Sequence, residues 1–178
     1  GPPFYLNLEE RDKVYNADLS DCNKKMQVYR DIFVFQSLIG CRVGDLQLMT
    51  KDNLVNGAIE YIAEKTKTHN ARTIRVPLNE KAKAILAKYE DLPNVLFPSF
   101  KTDEYNRYLT DILKFVGINR KVPVLDLFTR ETELKPLWEV ATSHTARKTF
   151  IGNLYKKVKD PSLVASLSGH TDGSRAFA

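Results

Sequence analysis

Apolar residues recur at helical spacing along most of the chain. The segment 24–40 (KKMQVYRDIFVFQSLIG) carries apolar side chains on nearly every face, which is typical of a buried helix, and Gly40 can cap its end. Asn7, followed by two glutamates, predicts a capped helix start, and Asn79 predicts another for a helix over 79–90. Segment 103–118 is amphipathic and also predicts a helix.

A short central region alternates between apolar and polar positions instead. Segments 57–63 and 72–78 predict strands, and the polar stretch 64–71 between them predicts a hairpin with a basic tip. Segment 43–54 predicts a short helix and a turn. We expect a loop around Pro123, a helix in the second half of 130–158, and a last helix opened by Asp160 and Pro161. The pattern predicts a mostly helical α+β fold with one small antiparallel β-hairpin packed beside a helical core.

Length and composition bound the class of protein. With 178 residues, 43% of them hydrophobic, the chain can bury one core, and we expect a single domain over 4–178. Residues 1–3 resemble the remnant of a cleaved purification tag. The formal net charge of +5 favours a polyanionic partner such as nucleic acid. Two cysteines make no disulfide framework, and no apolar run reaches the roughly 18 residues of a membrane span, so we expect a cytoplasmic protein.

Four short segments contain side chains suited to binding a phosphate. Each has an ordinary structural alternative: the arginine of GCRVGDL can pair with Asp45, HxxR pairs are common on helix surfaces, a lone histidine is usually structural, and a basic turn is usually only solvated. No carboxylate cluster suited to Mg²⁺ is evident. The candidates, in chain order, are Arg42, then Lys65, Lys67 and Arg72 of the hairpin, then His144 and Arg147 of SHTARKTF, then His170 of SLSGHTDG.

The order of these segments carries more information than any one of them. It resembles the catalytic domain of tyrosine recombinases of the phage-integrase family over nearly the whole chain. LIGCRVGDL looks like the first arginine box of that family, and EKTK with RVPL looks like its lysine-bearing strands. SHTARKTF resembles the second box, and SLSGHTDG resembles the segment before the nucleophile. The residues of these motifs most resemble those of integrases from conjugative transposons and related bacterial mobile elements.

The resemblance implies site-specific DNA recombination through a 3′-phosphotyrosyl intermediate, without metal or cofactor. Arg42 and Arg147 would bind the phosphate oxygens, Lys65 would protonate the leaving 5′-oxygen, His144 would assist proton handling, and His170 would donate to a phosphate oxygen. The partners would be double-stranded DNA and, for the full-length protein, other protomers of a tetramer on DNA.

Two departures from the family pattern matter. No residue between 171 and 178 is a tyrosine, so we expect the attacking tyrosine to fall just past Ala178 and the chain alone to be inactive. We also expect the N-terminal DNA-clamping domain of the family to lie outside these 178 residues. The hairpin turn is longer than usual, which leaves Lys65 and Lys67 both open as the catalytic lysine; the Lys-Thr after the strand favours Lys65.

Three other functions remain as alternatives. A DNA-binding module of the same fold without catalysis would not need all five residues Arg42, Lys65, His144, Arg147 and His170. A metal-independent phosphatase or nuclease would need its own nucleophile, and neither cysteine lies in a phosphate-cradling loop. In a plain helical interaction protein, the five residues would be scattered in space.

Overall fold

The computed structural model describes residues 4–69 and 71–169, so the expectations for residues 1–3 and for His170 lie outside it. The helices of the described residues are α1 (Leu8–Asn16), α2 (Lys24–Ile39), α3 (Val43–Leu48), α4 (Glu80–Ala87), α5 (Thr102–Val116), α6 (Leu137–Val140), α7 (Ser143–Val158) and α8 (Pro161–Ser168). The strands are β1 (Leu54–Val55), β2 (Ala58–Tyr61), β3 (Ile74–Pro77), β4 (Lys121–Leu125) and β5 (Thr132–Pro136). Single 3₁₀ turns span Lys51–Asn53 and Glu64–Thr66.

Helix α2 is the centre of the fold. It packs against α1, α4, α5 and α7, and every residue from 29 to 39 is buried. Gly40 ends it in the left-handed conformation, with φ +86°. The prediction of a buried central helix capped by Gly40 is therefore confirmed.

The predicted helix starts are confirmed as well. The Asn7 side chain accepts from the Glu10 backbone N–H (2.8 Å), and the Glu10 carboxylate accepts from the Asn7 N–H (3.0 Å), which is a capping box. Asn79 accepts from the N–H of Ala82 in the same way at the start of α4. Each of these hydrogen bonds joins residues three positions apart, so a short stretch of sequence is enough to predict them.

The predicted hairpin forms an antiparallel sheet in the order β1-β2-β3. Ile59 is opposite Val76 and Tyr61 is opposite Ile74, with all four side chains buried. Helix α8 packs against β3. The hairpin is confirmed, and the two-residue strand β1 adds an edge that the periodicity did not show.

The loop expected around Pro123 is wrong. Residues 121–125 form β4, which pairs antiparallel with β5, so that Pro123 is opposite Leu134. Proline is tolerated at a sheet edge, where its missing N–H costs no ladder bond, and this sheet consists of β4 and β5 alone. The described residues thus contain a second hairpin, while the α+β, mostly helical class is confirmed.

Candidate DNA-phosphate site

A pocket of about 460 Å³ opens where the start of α3, the turn after β2 and the start of α7 meet. These three segments are far apart in sequence. The side chains around it include Arg42, Val43, Asp45, Lys65, Ser143 and His144. The pocket therefore brings together three of the five residues selected as a candidate catalytic set.

Arg42 enters this pocket from the turn between α2 and α3. It occupies the N-cap position of α3 and is partly buried. Within residues 4–69 and 71–169, Arg42 has no ion pair, and the expected structural alternative, a salt bridge to Asp45, does not form. A partly buried guanidinium that lines a pocket suits an oxyanion such as a phosphate, whose oxygens can accept two hydrogen bonds from the planar fork.

Asp45 instead connects α3 to the turn that carries the lysines. Its carboxylate is buried and accepts a hydrogen bond from the backbone N–H of Glu64 (2.9 Å), the residue before Lys65. Lys65 lines the pocket. Lys67 does not line it, and its ammonium lies 3.5 Å from the Glu64 carboxylate on the exposed side of the turn. The geometry thus places Lys65, rather than Lys67, beside Arg42.

His144 lies in the first turn of α7. That turn begins with a capping box between Thr142 and Thr145. In addition, Thr142 accepts from the His144 N–H (3.3 Å), and the side chain of Asn106 on α5 accepts from the Ser143 N–H (2.8 Å). His144 keeps an exposed face. Partial burial lowers the pKa of its imidazole, and the neighbouring cations, first Lys148 and Arg147, lower it further.

Arg147 lies beneath the pocket rather than in its wall. Only 1% of the residue is exposed, and its Nη1 donates to the carbonyl oxygens of Gly40 (2.6 Å) and Ser168 (3.0 Å). Arg147 therefore ties the end of α2 and the end of α8 to α7. Burial lowers the pKa of this guanidinium to about 10, and the second cause is repulsion from Arg42.

The electrostatics of this site favour an anion. Arg147 and Arg42 repel each other, and both, together with Lys65, disfavour a proton on His144. A bound phosphate would oppose this repulsion and raise the pKa values of His144 and Arg147, because an opposite charge stabilises the charged form of a basic group. The arrangement can bind an oxyanion and hold it next to a lysine and a histidine that are able to transfer protons.

Sequence reasoning missed several groups that build this site. Asn106 fixes the start of α7, and the carbonyls of Gly40 and Ser168 hold Arg147. Asn106 lies within an ordinary amphipathic helix, so no local signal marked it. Arg72, the third basic candidate of the β2–β3 hairpin, is exposed and does not line the pocket. His170 falls outside the described residues.

The lowered pKa of His144 predicts how stability depends on pH. The folded state binds fewer protons than the unfolded chain once the pH falls below the ordinary value of 6.5, so the free energy of unfolding falls as the pH drops through that value toward the folded pKa. A His144→Gln chain lacks this component and should lose less stability over the same window. Urea unfolding at several pH values checks this.

Proton NMR of the imidazole provides the direct measurement. We expect His144 to titrate below 6.5 without ligand, and inorganic phosphate to raise its midpoint. His69, which is exposed and outside the pocket, is the internal control. A midpoint for His144 at or above 6.5 without phosphate would contradict the burial and the cationic neighbourhood described above.

The fold matches solved structures of tyrosine recombinases. XerH recombinase bound to a palindromic difH substrate in a post-cleavage complex matches with a TM-score of 0.67 at 21% identity, over 97% of this chain and 48% of that one. XerA recombinase matches with a TM-score of 0.67 at 22% identity, over 96% and 57%. The catalytic core of lambda integrase matches with a TM-score of 0.61 at 19% identity, over 96% and 94%. The chain thus spans about half the length of the larger recombinases and nearly all of a catalytic core.

The fold is that of a tyrosine recombinase catalytic domain. The model of the Phage integrase family matches residues 6–176, and the chain belongs to this family. None of the curated proteins compared matches the chain significantly. Among the described residues, no helix combines the length and the apolar character that crossing a membrane requires.

Proposed function

We propose that this chain is the catalytic domain of a site-specific DNA recombinase and binds a DNA backbone phosphate in the pocket of Arg42, Lys65 and His144. The single observation that carries the proposal is the convergence of these three side chains, from α3, the β2–β3 turn and α7, above the buried Arg147. The partner is double-stranded DNA, and several copies assemble on it. A lambda integrase tetramer bound to a Holliday junction, which shares the fold, supports this part of the proposal.

In the proposed reaction, a tyrosine oxygen attacks the phosphorus and the 5′-oxygen of deoxyribose leaves. Arg42 binds a non-bridging oxygen, and Arg147 stabilises the added negative charge from below, as donors prearranged around a developing oxyanion do. Lys65 gives its proton to the leaving 5′-oxygen, and during religation the neutral amine of Lys65 takes that proton back as the 5′-hydroxyl attacks. The covalent phosphotyrosine keeps the bond energy, so no ATP is needed.

His144 and His170 complete the proposed set. His144, whose imidazole pKa is lowered by burial and by the neighbouring cations, can accept the proton of the attacking tyrosine, and His170 would donate to a phosphate oxygen. Because residues 171–178 include no tyrosine, we propose that the chain alone does not cleave DNA. We also propose that the chain comes from a bacterial mobile element of the conjugative-transposon kind, because its motif residues resemble those of such integrases. We propose the cytoplasm as its compartment, because its two cysteines form no disulfide framework.

The proposed site is tested by comparing the DNA affinity of a variant that lacks a cation inside the pocket with that of a variant that lacks a cation outside it. We expect Arg42→Ala to weaken binding to duplex DNA about tenfold at low salt and to reduce the salt dependence by about one counterion. Arg107→Ala removes the same charge from an exposed position on α5 outside the pocket and should change affinity little. Fluorescence anisotropy across a salt series measures both. Equal losses for the two variants would contradict the proposed site.

Vanadate separates a catalytic domain from a binding module of the same fold. Vanadate takes a fifth oxygen ligand, here water, more readily than phosphate does, so a site complementary to the five-coordinate state should bind orthovanadate more tightly than inorganic phosphate, on the order of 100-fold. A module that only binds DNA has no reason to prefer vanadate. Isothermal titration of the chain with both anions, repeated with Arg42→Ala, distinguishes the two functions.

A further inference from the structure

The second hairpin, formed by β4 and β5, presents an exposed apolar tip. Four of the eleven large apolar side chains that the described residues expose lie there: Leu125, Leu127, Phe128 and Leu134, which we call the apolar tip. Phe128 is 99% exposed and Leu127 75%. Exposed apolar side chains gathered in one place usually mark a surface that a partner covers.

The tip is held in a defined shape. The Asp126 carboxylate accepts from the backbone N–H groups of Phe128 (2.8 Å) and Thr129 (3.2 Å), and the Arg130 N–H donates to the Asp126 carbonyl (2.8 Å). At its base, Val122 is buried and β5 packs against α6. Phe128 is thus displayed on an ordered turn, so little ordering is left to a binding event.

The charge around the tip excludes DNA as its partner. Residues 126–133 carry three carboxylates, Asp126, Glu131 and Glu133, and only one guanidinium, Arg130. DNA phosphates would be repelled by this excess of negative charge. Pro123 removes a donor from the edge of β4, which disfavours the addition of a further strand. The tip therefore suits a protein surface with an apolar cleft and positive charge at its rim.

Such a cleft exists on this same chain. Next to α4 lies a groove of about 390 Å³, lined by Leu54, Leu78, Leu86, Val95 and Leu96, which we call the α4 groove. Its charged lining residues are Lys51, Lys83 and Glu90, a net charge of +1. The Lys51 ammonium donates to the backbone carbonyls of Glu90 and Leu92, and the Lys83 ammonium lies 3.4 Å from the exposed Glu80 carboxylate. Leu54 and Val95 are exposed to 37% and 39%, so the groove is open to an incoming side chain. The hairpin packs against α6, and it makes no extensive contact with the elements around the α4 groove.

We propose that the apolar tip of one copy of this chain docks into the α4 groove of a second copy, with Phe128 as the anchor. The contact is heterologous: each copy offers a tip and a groove, so that copies can follow one another around a ring. The acidic turn then faces Lys51 and Lys83, and the two apolar surfaces cover each other. Only the choice of a second copy as the occupant rests on the proposed function, which requires several copies on one DNA.

Cross-linking between two singly labelled chains tests this contact. One chain carries Thr129→Cys beside the intact Phe128, and the other carries Ala87→Cys in the exposed part of the α4 groove, both with Cys22→Ser to remove the partly accessible thiol. We expect a short bismaleimide to join position 129 of one chain to position 87 of the other. Adding Phe128→Ser to the first chain should lower the yield about tenfold, because truncating a central aromatic anchor removes much of an interface's affinity.

Phe115→Ser is the matched control, since Phe115 is also an exposed phenylalanine, on α5. A 129–87 product that survives Phe115→Ser and is lost with Phe128→Ser supports the proposal. An equal effect of the two serines, products joining 129 to 129, or no product at all overturns it. The outcome is separable from the proposed function: Phe128→Ser should bind DNA as the parent chain does, while Arg42→Ala should lose DNA affinity and keep the cross-link.

Discussion

Replacing Arg147 by methionine is expected to destabilise the fold by about 2–3 kcal/mol and to abolish most of the anion affinity of the pocket. Methionine keeps the apolar stem but leaves the buried carbonyls of Gly40 and Ser168 without this donor. Hydrogen bonds from a charged group contribute roughly 1.5–3 kcal/mol each. Part of that loss is offset, since the variant no longer buries a charge.

The measurement is urea unfolding of both chains at neutral pH, where a lower midpoint with an unchanged slope reports stability alone. Arg147→Lys is the informative companion, because lysine keeps the charge but lacks the longer planar guanidinium whose Nη1 donates to both carbonyls. We expect it to recover part of the vanadate affinity and less of the stability. If Arg147→Met unfolds at the same urea concentration as the parent chain, Arg147 does not hold α2 and α8 together.

Replacing Gly40 by alanine is expected to cost about 3 kcal/mol in stability. Gly40 has φ +86°, where an L-residue loses about 1–2 kcal/mol. A Cβ at this position would lie 2.1 Å from Cδ2 of the Phe150 ring, so the ring must move, and overpacking of this kind costs about 1–3 kcal/mol. Because the Gly40 carbonyl accepts from Arg147, the substitution should also weaken anion binding.

Gly44→Ala is the matched control. It lies in α3, four residues on, and a Cβ there would meet no atom within 4 Å, so its stability should stay within about 0.5 kcal/mol of the parent chain. Combining Gly40→Ala with Phe150→Leu relieves the clash and leaves the backbone cost, and the double-mutant cycle separates the two causes. Equal losses for Gly40→Ala and Gly44→Ala would show that the close approach of Phe150 is unimportant.

The helices were predictable because their signals are local. A capping residue such as Asn7 bonds to backbone three residues away, and the apolar face of a helix repeats within a few turns, so short windows of sequence contain the cause of the structure. The β4–β5 hairpin was not predicted because it lacks such local signals. Its strands alternate weakly and a proline interrupts one of them, although the pairing joins residues only 7 to 15 positions apart.

The sequence named candidate site residues but could not give their arrangement. The family pattern selected Arg42, Lys65, His144 and Arg147, yet it left Lys67 open as the lysine. A bond between Asp45 and the backbone of Glu64, 19 positions apart, places Lys65 at the pocket. The pattern also treated the two arginines alike, whereas in the structure Arg42 lines the pocket and Arg147 is buried without lining it, bonded to carbonyls 107 and 21 positions away.

The sequence by itself determined the class of fold, the positions and caps of most helices, the first hairpin and the residue types that can bind a phosphate. Each of these depends on side chains that are close together along the chain. Only the tertiary structure decided which basic groups share one pocket, which arginine is buried, and that a second hairpin exposes Phe128. These features depend on contacts between distant segments, and such contacts arise only when the α2 core brings those segments together.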